Sequence, residues 1–244
     1  MYFTTLFSSE VNGISTASLF DDLAIGKLDG GKYVAKYQGK YPVIMLSFKD
    51  INSDSFKGSY NKINKQIAFL FSSFEYLLKS EKLNTVQLRT FKIILDQSAD
   101  QEALEDSLKV LSECLYQHHG QKVYILIDEY DTPLNKIYRN EEYLRTMVAF
   151  MRNLFSAALK DNNYLKRGVL TGILRVSKDS MLSGLNNLET YTLLDEEYSA
   201  HFGFSETEVS YLFQEHDLGT AMEEVKSWYN RPSAKECIHY KWWL

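Results

Sequence analysis

Nine residues constrain this chain more than any other stretch: Val123-Tyr124-Ile125-Leu126-Ile127-Asp128-Glu129-Tyr130-Asp131. An apolar, β-branched run ends abruptly in two adjacent carboxylates, with a third two residues later. Apolar groups at successive positions load both faces of a strand. Such a strand needs cover on each side, as in a parallel sheet flanked by helices. Sheets of that kind gather their ligands at the carboxyl ends of the strands, where this acidic pair stands. That is the form of a Walker B element: the first carboxylate, Asp128, holds Mg²⁺ through water, and the second, Glu129, orients or polarises an attacking water. The bland alternative is a buried strand whose exit turn is merely acidic and solvated.

The 244 residues suffice for one large domain, or one domain with a small appendage, and 45% hydrophobic residues supply a sizeable core. With 27 basic against 32 acidic side chains the net charge is −5, which does not describe an electrostatic nucleic-acid binder as a whole and leaves room only for a local basic patch. Cys114 and Cys237 make no disulfide framework. Cys114 falls in an expected helix as a small core residue, and this usage fits a reducing cytosol. No apolar segment reaches membrane-spanning length, and no basic-then-apolar leader opens the chain, so a cytoplasmic protein without a membrane partner is expected.

The same strand is preceded and followed by further periodic segments. Phe3, Leu6 and Phe7 mark a short amphipathic helix over 2–10, and 11–40 reads as loop, with five glycines. Within that loop Gly26, Gly31 and Lys32 imitate a phosphate-binding Gly-x-x-x-x-Gly-Lys. Tyr33 stands where a Mg²⁺-ligating hydroxyl belongs, and no buried strand precedes Gly26, so the solvated-loop reading is preferred. Residues 41–48 read as a buried strand entered through Pro42. A long helical stripe follows at Ile63, Ile67, Leu70, Phe71, Phe74, Leu77 and Leu78. A second helix opens at a capping box, Ser98 with Gln101, and carries Leu104, Leu108, Leu111 and Leu115 to a stop at Gly120. His118 and His119, in its last turn, read as cations favoured by the helix dipole. A helix over 141–160 places Met147, Phe150, Met151, Leu154 and Leu159 inside. Residues 168–176 read as a third buried strand. There Thr171 is either functional or bonded to neighbouring backbone, and Arg175 is either functional or paired with an acid such as Asp179. A short strand over 190–194, a capping box Ser205–Glu208 opening a helix with Val209, Leu212 and Phe213, a helix over 217–229 and an aperiodic tail complete the reading. Strands alternating with helices argue for a parallel α/β sheet.

Several stretches together resemble the AAA-ATPase-like family of P-loop NTPases, which are often followed by a PD-(D/E)xK nuclease-like domain. They are Gln38-Gly-Lys-Tyr-Pro-Val-Ile through Phe48-Lys-Asp, Val123 to Pro133, Leu170-Thr-Gly-Ile-Leu-Arg-Val, Leu185-Asn-Asn-Leu, and Phe202-Gly-Phe-Ser-Glu-Thr-Glu-Val. The resemblance implies a three-layer α/β fold with strand 41–48 away from the nucleotide. It implies a core over 1–200, a helical lid over 201–230 and an irregular tail over 231–244. It also implies ATP and Mg²⁺ as cofactors, with Asp128 for the metal and Glu129 for water activation. Thr171 would sense the γ-phosphate, and Arg175 would sense nucleotide or complete the site.

The family's phosphate-binding loop, of the form Arg-Arg-Phe-Gly-Lys-Ser/Thr, is absent from these residues. Met1 to Phe7 resembles the latter part of the helix that follows it. The expectation is therefore an ATPase domain cut short at its first strand, impaired by the missing Walker A and inclined to self-associate. A second expectation, of another class, is a non-catalytic remnant or interaction module that keeps the fold, with its protein or nucleic-acid partner unspecified. A third, a nuclease using Asp128, Glu129 and Asp131, lacks the acid-x-Lys pair beside an apolar run that such a core needs.

Overall fold

The computed structural model describes residues 6–11, 13–135, 141–172, 188–191, 195 and 204–216. They fall in two compact units, Met1–Asn186 and Asn187–Leu244.

The centre of the first unit is a parallel sheet of β3 (Val43–Ser47), β4 (Val123–Asp128) and β5 (Leu165–Leu170), in that order. It is preceded by a two-residue hairpin, β1 (Glu10–Val11) and β2 (Ile14–Ser15), turned at Gly13 with φ of 78°. The helices are α1 (Ala24–Lys27), α2 (Lys32–Tyr37), α3 (Phe56–Ser72), α4 (Thr85–Leu95), α5 (Gln101–Glu105), α6 (Ser107–His119), α7 (Thr132–Asn135) and α8 (Glu141–Leu159). The second unit contributes α9 (Glu206–Glu215), opened by the reciprocal Ser205–Glu208 capping box.

Register sorts the sheet into two faces, because paired residues of parallel strands point the same way. Ile44 pairs with Ile125, which in turn pairs with Gly168, and Leu46 pairs with Ile127, which pairs with Leu170. On that face Ile44, Leu46, Ile125 and Ile127 are all but inaccessible. Each such side chain contributes about 1.5–3 kcal/mol by leaving water. Their cover includes α8: Phe155 meets Phe48 edge to face, and Leu159 lies over Gly168, where a Cβ would meet its Cδ2 at 2.5 Å. The opposite face holds a smaller cluster, Val43, Tyr124 and Leu126, against Phe7, Tyr41, Met45 and Val169. Asp128 and Thr171 follow that second face by alternation. All five apolar residues expected inside the 141–160 helix are buried.

The structure revises several expectations. The 11–40 loop contains the β1–β2 hairpin, α1, a 3₁₀ turn over Leu28–Gly31 and α2, because four glycines at positive φ in this stretch let short elements follow one another without longer linkers. The phosphate-loop imitation is thus two short helices, with Gly26 pressed against the Phe20 carbonyl. The long stripe is broken: α3 ends at Ser72, and Leu77 and Leu78 sit in a 3₁₀ turn over Glu75–Lys79. A helix absent from the sequence reading, α4, starts at an Asn84–Gln87 capping box and buries Phe91 and Ile94. The cap of α5 is Asp100, accepting from the Ala103 amide at 2.9 Å, while the Ser98 hydroxyl turns back to the Ile93 carbonyl.

Gly120 stops α6 in the left-handed conformation. Of the two histidines before it, His119 is not simply a dipole cation. His119 Nε2 lies 2.8 Å from the Tyr76 hydroxyl, and burial, then His118 and Lys82, push its pKa below the ordinary value. The third strand begins three residues early, at Leu165, and is half-exposed because Lys166 and Arg167 face solvent. Residues 190–191 are irregular. Residues 192–194, the 217–229 helix and the tail lie outside the described residues, as does Arg175.

Candidate active site

The acidic turn is built by the end of β4. Ser47 is the register partner of Asp128, and the Phe48 amide donates to the Asp128 carbonyl at 2.9 Å. On the other side the Thr171 amide donates to the Ile127 carbonyl at 2.9 Å, and the Tyr130 amide to the Thr171 carbonyl at 3.1 Å. Backbone pairing therefore continues past the ends of β4 and β5 and holds the two exits together.

Within that frame the Asp128 carboxylate is fixed through one oxygen. Its Oδ1 accepts from the Glu129 amide at 3.1 Å and from the Thr171 hydroxyl. Of the two uses considered for Thr171, a bond to neighbouring backbone is not what its hydroxyl makes; it reaches a carboxylate 43 residues away in sequence. The sequence pair Asp128 and Thr171 is thus brought together.

Glu129 adopts φ of 51°, a left-handed conformation unusual for a residue with a side chain. Such outliers concentrate at functional turns, where surrounding structure holds them. The chain reverses there, and α7 begins at Thr132, whose hydroxyl donates to Glu129 Oε2 at 3.1 Å. Asp131, by contrast, is buried, and Asp131 and Tyr130 press against Gly172, where a Cβ would stand 2.6 Å from Asp131 Oδ1. Among the described residues no three His, Cys, Asp or Glu side chains are grouped so that they could hold one metal ion.

Sequence reasoning passed over two contributors. Thr132 had a signal, a hydroxyl residue three positions after the acid and directly before Pro133, the form of a helix start. Gly172 had only its adjacency to Thr171.

The carboxylate pair thus stands at the carboxyl edge of a parallel α/β sheet, one acid tied across strands and the other in a left-handed turn. The sequence profile of the predicted AAA-ATPase family (AAA-ATPase-like) matches residues 2–182, and the chain belongs to that family. It is also 35% identical over 121 residues to an "Uncharacterized protein in vnfD 5'region" of Azotobacter chroococcum mcd 1, a match covering 48% of this chain and 23% of that protein. The chain thus spans less than a quarter of the curated relative it matches. No solved structure is significantly similar. Among the described residues no helix is long and apolar enough to cross a membrane.

Proposed function

We propose that the turn at Asp128 and Glu129 is the Walker B half of a P-loop-type ATP hydrolysis site. The observation that carries this reading is the Thr171–Asp128 hydrogen bond between adjacent strand exits, with Glu129 beside it in a left-handed turn.

The residues suit magnesium. Mg²⁺ keeps most of its waters and is held through one or two carboxylates together with substrate phosphates, not by an all-protein cage. Asp128 uses Oδ1 for Thr171 and the Glu129 amide and keeps Oδ2 to accept from a hydrated cation. Bound Mg²⁺–ATP supplies the charge neutralisation and the transferable phosphoryl group. Asp128 would hold the hydrated side of the metal. Glu129, whose Oε2 accepts from the Thr132 hydroxyl, would accept a hydrogen bond from the attacking water and align it. Thr171, bonded to the Asp128 carboxylate from the neighbouring strand exit, would sense the γ-phosphate, and Arg175 would supply the positive charge that the family resemblance implies. Hydrolysis also requires a Gly-Lys-Ser/Thr phosphate cradle to hold the β- and γ-phosphates. The second reading is a non-catalytic ATPase fold serving interaction.

Paramagnetic broadening by Mn²⁺–ATP separates the two, because it detects weak binding. Selective broadening of the Glu129 and Thr171 amides, abolished by Asp128→Asn and retained in Glu129→Gln, is expected. Uniform or absent broadening across the spectrum overturns the Walker B assignment and leaves the interaction module.

A further inference from the structure

A separate surface lies around α2, where the sequence repeats Lys-Tyr every fourth residue: Lys32-Tyr33, Lys36-Tyr37 and Lys40-Tyr41. Positions four apart stack on one side of a helix, so Lys32 and Lys36 stand one above the other. In sequence Lys40 follows just past the helix end, and Lys27 comes before it. All four lysines are exposed, and none forms an ion pair among the described residues. In a chain of net charge −5 this is a local excess of unneutralised positive charge. Of the acids nearest in sequence, Asp21 and Asp22 precede all four lysines, Asp29 lies between Lys27 and Lys32, and none falls between Lys32 and Lys40.

The tyrosines divide into roots and a free ring. Tyr41 meets Tyr124 edge to face at 5.2 Å, Phe7 stacks on Tyr124 at 4.0 Å, and Tyr37 meets Phe7 edge to face at 6.2 Å. Backbone bonds add to this: the Gly39 amide donates to the Leu6 carbonyl and the Tyr41 amide to the Phe7 carbonyl, each at 3.0 Å. The row is therefore mounted rigidly on the sheet face. Lys36 rests 4.9 Å over the Tyr37 ring, while Tyr33 remains 42% exposed and interacts electrostatically with Lys36.

We propose that this Lys-Tyr row docks single-stranded nucleic acid, its lysines meeting successive phosphates and Tyr33 stacking on a base. Cations tracking a backbone beside an aromatic platform are the chemistry of single-strand recognition. A row of lysines alone would serve any polyanion; the exposed ring is what favours a base-bearing one. The proposal is independent of the Walker B reading, since none of its residues belongs to the acidic turn.

The test is fluorescence anisotropy of the whole chain with labelled oligothymidylate, between about 50 and about 200 mM salt. Three phosphate contacts predict a log–log salt slope of about −2. The triple variant Lys32→Ala, Lys36→Ala, Lys40→Ala should lose affinity at least about tenfold and flatten that slope. Tyr33→Ala should lose about tenfold with the slope unchanged. The single exposed-site variant Lys32→Glu supplies the same comparison should the triple variant unfold. Equal binding by wild type and lysine variants overturns the proposal. So does equally tight binding of base-free polyphosphate or phosphatidylserine vesicles with Tyr33→Ala neutral, which would mark a general polyanion or lipid surface.

Discussion

Gly172→Ala is the sharpest single probe of how the acidic turn is packed. The new Cβ would stand 2.6 Å from Asp131 Oδ1 and 2.7 and 2.9 Å from two carbons of the Tyr130 ring. Ordinary contact begins near 3.4 Å, so these groups must retreat by roughly half to four-fifths of an ångström. Both neighbours are buried, at 1% and 8% exposure, and neither is the loose end of a flexible chain. Overpacking of this kind costs about 1–3 kcal/mol. Replacing glycine also stiffens the unfolded chain, which returns about 0.4–1 kcal/mol. The net expectation is a loss of about 1–2 kcal/mol, or about 2–8 °C in Tm for a domain of this size. Urea unfolding at constant slope measures it, since an unchanged slope assigns the shift in midpoint to stability. A variant as stable as wild type would refute the claim that Thr171-Gly172 lies against Tyr130 and Asp131, and with it the close pairing of the two strand exits.

Two further perturbations test the scaffold. Tyr143, buried on α8, donates its hydroxyl to Ser59 Oγ on α3 at 2.7 Å, so Tyr143→Phe should cost about 0.5–1.5 kcal/mol and couple to Ser59→Ala in a double-mutant cycle; additive single effects would deny the bond. His119 has its pKa lowered from 6.5 by burial, then by His118 and Lys82, with Tyr76 at its Nε2. Below that pH the unfolded chain takes up a proton that the folded chain refuses, so stability falls as pH drops from 6.5 toward the depressed folded value. His119→Gln should flatten the dependence of the urea midpoint on pH across that window, and an unaltered profile would count against a His119 ring held neutral beside Tyr76.

The parts of the fold legible in the sequence are those where burial dictated composition. Strand β4 is apolar at every position from Val123 to Ile127 because both faces are covered. Strand β5 hid its start, since Lys166 and Arg167 are solvent-facing and carry no apolar signal. Helix α4 did announce itself, through Asn84 and Gln87, but its 11 residues were obscured by the longer stripes on either side. Ser98 and Asp100 are both competent caps, and only three-dimensional placement decides which oxygen meets an amide. At the site, the adjacency of Asp128 and Glu129 was legible, whereas the tie from Thr171 depends on the register that sets Ile127 opposite Leu170. No local pattern encodes a contact of that sequence separation.

The left-handed backbone at Glu129 carries a consequence for how this protein would respond to selection. At φ of 51° the chain itself favours glycine or asparagine, and a glutamate there sits at a cost of about 1–2 kcal/mol. Replacements that relax the turn are thus the ones that delete the carboxylate. A search for more stable variants would be drawn to position 129 and would remove the acid as it improved the fold, so that thermal robustness and any chemistry at this turn pull in opposite directions.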